Sequence, residues 1–294
     1  MSDTATTPIP NVYITTDISP AGLKAVYEAL QTMPTGRVAV KLHTGESENS
    51  NHLRPELIGD LIQSLKATIV ESNTAYPGNR MQTAKHLETV TQRGFSAIAP
   101  VDIQDGEADM SIPVTGGKHL TENFVGTHFA DYDYYIILSH FKGHLMGGFG
   151  GAVKNTSIGI ASSKGKSFIH SAGKSTTGFG LDTPQDDFLE SMAEAAKSID
   201  DYLNGQMLFI NVMNRLSIDC DCDGNPHEPD MHDLGILAST DPVALDQACV
   251  DLVYAAPDSA SLIERIESKN GIHTLEHAEA IGLGSRQYTL LNID

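Results

Sequence analysis

Residues 134–155 read YYIILSHFKGHLMGGFGGAVKN. The first six, Tyr134–Ser139, form an apolar, β-rich run, and the polar, glycine-rich remainder leads towards a helix at Ala152. Similar runs occur at Val12–Thr16, Val38–His43, Thr68–Ser72, Phe95–Val101 and Met207–Asn211, with Leu234–Ser239 as a further candidate. Helical patterns separate them. Ala21–Met33 places Leu23, Val26, Tyr27 and Leu30 on one face, Pro55–Lys66 opens with proline, and Gln82–Arg93 ends at Gly94. Asp241 before Pro242 caps a helix predicted to run to about Ala255, in which Cys249 reads as a buried structural thiol. This alternation predicts an α/β fold, a mostly parallel or mixed sheet flanked by helices. A loose tail over 1–10 and one α/β domain over 11–294, undivided or in two lobes, complete the expected organisation.

The 294 residues suffice to bury a core, and a chain with 40% hydrophobic and 19% charged residues is neither disordered nor fibrous. The balance of 19 Lys plus Arg against 38 Asp plus Glu gives a formal charge of −19. Such a surface repels nucleic acid and anionic membranes, which excludes both as default partners. Three cysteines and a start without a basic, apolar leader predict a cytoplasmic protein with free thiols. Homo-oligomerisation is compatible with all of this.

Charge is unevenly spread. From Tyr134 to Leu181 there is no Asp or Glu, yet Lys142, Lys154, Lys164, Lys166, Lys174, His140, His144 and His170 all fall there among many glycines. Glycines let backbone amides approach a ligand, and lysines add positive potential, so the stretch suits a small anion. On this reading Gly148, Gly150, Gly151, Lys154 and Asn155 bind substrate. No phosphate-loop or dinucleotide spacing is met, so no nucleotide cofactor is indicated.

The opposite pattern spans Asp219–Asp233, where Asp219, Asp221, Asp223, Glu228, Asp230 and Asp233 accompany Cys220, Cys222, His227 and His232. Soft thiolates with imidazole or carboxylate suit a divalent metal, zinc or iron, with Cys220, Cys222, His232 and Asp233 as candidate ligands. A calcium loop over Asp219–Asp230 is an alternative at which Pro226 and Pro229 sit awkwardly. At the ends of predicted strands, Lys41, His43, Glu71 and Arg80 are candidates for clamping a carboxylate or moving protons, because ligands bind at the carboxyl ends of parallel strands.

The strings KLHTGE (41–46), VESNTAYPGNR (70–80), SHFKGHLMGGFGGAVKN (139–155) and CDCDGNPHEPDMHDLGILASTDPVALDQA (220–248) together resemble the domain-of-unknown-function 362 family, often labelled iron–sulfur centre proteins. The resemblance spans about residues 10–290 and implies an α/β protein of largely unassigned activity. Many relatives carry an inserted ferredoxin-like module. Here Gly173–Met207 contains no cysteine, so that cluster cannot be built, and an iron–sulfur group would have to be a bridged site using Cys220 and Cys222. A fainter similarity, of architecture and a Lys/Gly-rich motif, points to lactate-racemase-like proteins, which act on a small hydroxy acid.

Together these features predict a metal-dependent enzyme acting on a small anionic molecule. Lys142 and Lys154 would hold the anion, and His140 or His144 would move a proton. The alternatives are a redox or metallocentre-handling protein and a non-catalytic anion-binding protein.

Overall fold

The computed structural model describes residues 8–178, 180 and 182–294. Residues 1–7 of the expected tail lie outside the described residues, whereas Pro10 already accepts a hydrogen bond from the Thr289 amide at 2.9 Å.

Among the described residues the main sheet has eight strands. From one edge to the other they are β12 (Thr289–Asn292), β1 (Asn11–Thr15), β11 (Gly235–Ser239), β10 (Met207–Met213), β7 (Tyr134–His140), β2 (Val38–Lys41), β3 (Thr68–Glu71) and β4 (Val101–Ile103). Only β11 pairs antiparallel to its neighbours, β1 and β10, so the remaining strands all point the same way. The α/β expectation is met. Their common direction brings the carboxyl ends of β2, β3, β7 and β10 to one edge, where parallel sheets hold their ligands.

The central strands are buried on both faces, and alternation divides their side chains between two cores. Tyr135, Ile137, Phe209 and Met213 face one layer. It is formed by α7 (Gln185–Leu203), α8 (Pro242–Ala255), α9 (Ala260–Ser268) and α10 (His273–Ala280). Tyr134, Ile136, Leu138, Leu208 and Ile210 face the other. That layer contains α1 (Pro20–Ala29), α2 (Pro55–Ser64), α3 (Thr83–Gln92) and α4 (Phe95–Ile98). Two of these helices start as the sequence indicates: Pro55 opens α2, and the Asp241 carboxylate caps α8 through the Val243 and Ala244 amides, both at 2.9 Å. Cys249, in α8, is fully buried.

One expected strand is corrected. Phe95–Val101 contains the short helix α4, and strand pairing begins only at Val101. Gly94 turns the chain at φ +83°, ending α3, and Phe95 drops into the core as a helical residue instead of alternating. Further elements carry little pattern of their own. They include the hairpin of β5 (Asp109–Pro113) with β6 (Glu122–Gly126), and that of β8 (Lys142–His144) with β9 (Gly148–Gly150). Beyond β9 the chain forms α5 (Ala152–Lys154), a π-helical turn over Asn155–Gly159, and α6 (Ser163–His170).

Candidate active site

Where the parallel strands end, a cavity of about 200 Å³ opens. Its wall includes Lys41, His43, Glu71, Arg80, His140, Lys142, His144, Gly150, Gly151, Lys154, Asn155, Cys220 and Cys222. The two charge islands therefore meet. The loop after β10 folds back over β8, with the Gly143 amide donating to Ser217 O at 2.7 Å. Gly143 permits this approach, since a Cβ there would lie 2.4 Å from Ile218 O.

Asp221 holds the islands together. Its Oδ1 accepts from His140 Nδ1 at 2.8 Å and its Oδ2 from Lys142 Nζ at 2.7 Å, with the carboxylate fully buried. Burial would raise the Asp221 pKa, but His140 and Lys142 outweigh it and hold the group well below the usual carboxylate range. His140 Nε2 is spent on Asn214 O at 2.6 Å. Both partners of the ring are acceptors, so His140 can only donate through either nitrogen in this arrangement. His140 and Lys142 thus brace the Cys220 loop; both ring nitrogens of His140 are engaged there, whereas the Lys142 ammonium, on the cavity wall, spends one of its three donors on Asp221.

Across the cavity, Glu71 plays the same part for the strand-end cluster. It accepts from the Thr44 amide at 2.9 Å, Lys41 Nζ at 3.2 Å and Arg80 Nη1 at 3.5 Å. Although burial opposes ionisation, Lys41 and Arg80 keep Glu71 well below its ordinary pKa. Arg80 also pairs with Glu46 at 3.0 Å, and Lys41 is steadied by Asn155 Oδ1 at 3.1 Å. The Asn155 amide nitrogen reaches Ser139 Oγ at 3.1 Å, so this side chain ties elements together.

Among the described residues lining the cavity, Lys154 is the cation whose ammonium has neither ion pair nor hydrogen bond. Its charge acts on Cys220. Cys220 and Cys222 are free cysteines: the hydrogen bond from Cys222 pulls Cys220 well below the ordinary thiol range, against burial and with help from Lys154 and His144. Cys222 is pushed well above that range by the same hydrogen bond and by burial. The proton is thus held more tightly on Cys222 than on Cys220.

His144 completes the group. A donor atom from each of His144, Cys220 and Cys222 lies within 4.8 Å of the others. Burial, reinforced by Lys154, lowers His144 to about 4, so the ring is neutral near pH 7. Its Nδ1 accepts the Gly147 amide hydrogen at 2.8 Å, which leaves the ring proton on Nε2. His43 repeats the arrangement, accepting from Gly45 N at 3.0 Å, and burial followed by Arg80 keeps it neutral.

The ligand set read from sequence is corrected at two positions. His232 is half-exposed and bonded to Asp258 at 2.8 Å, and the Asp233 carboxylate accepts from the Arg215 amide at 2.6 Å. The calcium loop fails too. Asp219 turns to His227 and Asp223 to the Asn225 amide, while both Asp221 oxygens are taken inside. Nor are the amides at the start of α5 open to an anion: Ala152 N and Val153 N donate to buried Asp246 at 2.7 and 2.9 Å. A Cβ on Gly151 would meet that carboxylate at 2.3 Å. Gly148, at φ +80°, turns the β8–β9 hairpin and packs against Gly271 and Ile266 rather than lining the cavity.

Sequence reasoning counted two groups of the wall in the positive stretch without giving them a role. Lys166 and His170, four apart on α6, both face the cavity. Burial, with Lys41 and Arg80 acting in the same sense against Asp105, brings Lys166 down to about 7. The Ser162 cap of α6 was the available signal, since it sets the phase of that helix.

The family model described as "Domain of unknown function (DUF362)" matches residues 38–251. No curated protein matches. Among solved structures, the lactate racemase apoprotein from Thermoanaerobacterium thermosaccharolyticum is 14% identical, with a TM-score of 0.48, over 83% of this chain and 56% of that one. A protein from Thermotoga maritima is 15% identical, with a TM-score of 0.46, over 79% of this chain and 57% of that one. The chain spans little more than half the length of either. The family match covers the cavity wall and both loops that meet at Asp221, and the chain belongs to the DUF362 family.

Proposed function

We propose that the cavity is the active site of a metal-dependent enzyme acting on a small anion, a carboxylate or phosphate. Cys220, Cys222 and His144 would hold the metal, and Lys154 would supply the counter-charge for the substrate. The observation that carries this reading is the grouping of three soft donors within 4.8 Å on the wall of a cavity beside an unpaired ammonium. Two cysteines and one histidine with space on the fourth side suit a catalytic zinc or iron ion better than a closed structural site. The residues fit in number and softness. Ligation through His144 Nε2 requires its proton to pass to Nδ1 and the Gly147 contact to open. That loses one hydrogen bond, about 0.5–1.5 kcal/mol, against apparent binding energies of about 10–16 kcal/mol for structural zinc sites.

Bound there, a metal would polarise a substrate oxygen or activate water. The chain's own groups support the rest. His43 Nε2, protonated because Nδ1 accepts from Gly45, can donate a hydrogen bond into the cavity. Lys166, near neutrality, can take or return a proton. His140 and Lys142 act through Asp221 as positioning residues.

The test is metal analysis by mass spectrometry on anaerobically purified protein. Cys220→Ser/Cys222→Ser should lose one equivalent of metal, whereas His232→Ala/Asp233→Ala should lose none; equal content in the two variants overturns the reading. Inorganic phosphate and acetate should raise the Tm of the parent, and Lys154→Met should abolish at least one of these shifts.

A second reading, thiol chemistry without a resident metal, is favoured by the Gly147 contact, because a neutral ring protonated on Nε2 can partner the Cys220 thiolate. It expects metal-free protein to be alkylated by iodoacetamide at Cys220 at pH 6, at least tenfold faster than at Cys222. Stoichiometric metal that blocks this alkylation decides for the first reading.

A further inference from the structure

Outside the cavity, α7 and α10 enclose a second cluster of metal-ligating side chains. Asp187 and Glu190 stand one turn apart on α7, and His273 and His277 one turn apart on α10. His119 enters from the turn before β6. Donor atoms of His119, Asp187 and Glu190 lie within 4.8 Å of one another. Glu190 Oε2 contacts His119 Nε2, and Glu190 Oε1 accepts from His273 Nε2 at 3.1 Å. We propose that His119, Asp187, Glu190 and His273 form a second site, for a divalent transition-metal ion such as Zn²⁺ or Co²⁺, that cross-links α7, α10 and the 117–120 turn.

Three features support a built site. The mixed imidazole and carboxylate donors suit borderline ions of the zinc and cobalt type. His273 presents its other nitrogen, Nδ1, to Glu276 at 3.3 Å, the carboxylate partner that orients metal-bound histidines. Fully buried Glu194 fixes the approach of His119, accepting from the amides of Lys118 at 2.7 Å and Leu120 at 2.8 Å, and from His277 Nε2 at 3.2 Å. Two competitors must move: Lys118 Nζ bonds Glu190 Oε2 at 2.7 Å and Lys174 Nζ lies 4.0 Å from Asp187 Oδ2, but their side chains are 61% and 65% exposed and free to swing into water. Access is open, because Asp187 and His273 are part-exposed. The site would also steady the cavity from behind, since Gln185, two residues before Asp187 at the start of α7, bonds Met146 O at 2.7 Å in the glycine-rich loop.

The experiment uses the full chain carrying Cys220→Ser/Cys222→Ser, which removes the thiolates of the cavity and makes the outcome independent of its metal. Titration with Co²⁺ should give visible d–d bands at one equivalent without the near-ultraviolet charge-transfer band of a cobalt–thiolate bond. Zn²⁺ at a hundredfold excess over its Kd should raise the Tm by about 5 °C. Adding His119→Ala or Glu190→Gln should weaken binding at least tenfold, and the near-isosteric Glu190→Gln keeps the test informative if His119→Ala folds poorly. Absence of Co²⁺ bands and of a Zn²⁺-dependent Tm shift would overturn the site and leave a network of ion pairs.

Discussion

The loop joining β10 to β11 has two halves of similar composition and opposite fate. In the first, Ser217, Cys220 and Asp221 are buried against the cavity, with Asp221 fully enclosed by His140 and Lys142. In the second, His227 and His232 stand largely in water, each bonded to a nearby aspartate. Asp219 and Asp221 are two residues apart, yet one caps a surface turn while the other joins two loops. Acidity alone does not decide which part of such a segment becomes a site. What decides it is the partner surface, here the end of β7 and β8, which offers His140 and Lys142 as donors and, at Gly143, a residue that can be closely approached.

The largest effect expected from this contrast is on stability. Asp221→Ala leaves His140 and Lys142 buried without their carboxylate and should cost about 3–5 kcal/mol in urea unfolding, whereas Asp219→Ala should stay within about 0.5 kcal/mol. Equal, small losses would break the comparison. Gly143→Ala comes next: its Cβ would meet Ile218 backbone at 2.4 Å, predicting a loss of about 1–3 kcal/mol. The nearest contact of a Cβ on Gly150 is the flexible Lys154 side chain at 3.3 Å, so Gly150→Ala should cost under about 1 kcal/mol.

The remaining effect is spread over the pH scale. His52 and His86 are buried, and burial above all lowers both to about 3. Their folded pKa values lie below the unfolded value, so the unfolded chain binds more protons as pH falls. Their contribution is complete above pH 6.5 and is lost progressively between 6.5 and 3, at up to ~1.4 kcal/mol per pH unit for each ring. The urea midpoint should therefore drop between pH 7 and 5; a flat profile would contradict it.

Much of the fold was legible because central strands such as Tyr134–His140 are apolar over their first five residues and helices such as α8 begin with an unmistakable Asp-Pro cap. Short elements were not. The four residues of α4 hold too few side chains to show a period, and the edge strand β12 is mostly exposed. In the site, composition located both charge islands, but the pairing of His140 with Asp221 spans 81 residues and no local spacing announces it. Nor could spacing choose His144 over His232 as the companion of the two thiols. The glycine run suggested amides open to an anion, whereas Asp246, 94 residues after Ala152, already occupies them.

The central claim is that Cys220, Cys222 and His144 share one metal ion. X-ray absorption at the metal edge, on anaerobically purified protein carrying His119→Ala to silence the second site, tests it most directly. The account predicts two sulfur neighbours at about 2.3 Å and one imidazole nitrogen at about 2.0–2.1 Å, with the nitrogen lost in His144→Ala. A shell of nitrogen and oxygen alone, or a spectrum unchanged by Cys220→Ser/Cys222→Ser, would contradict it.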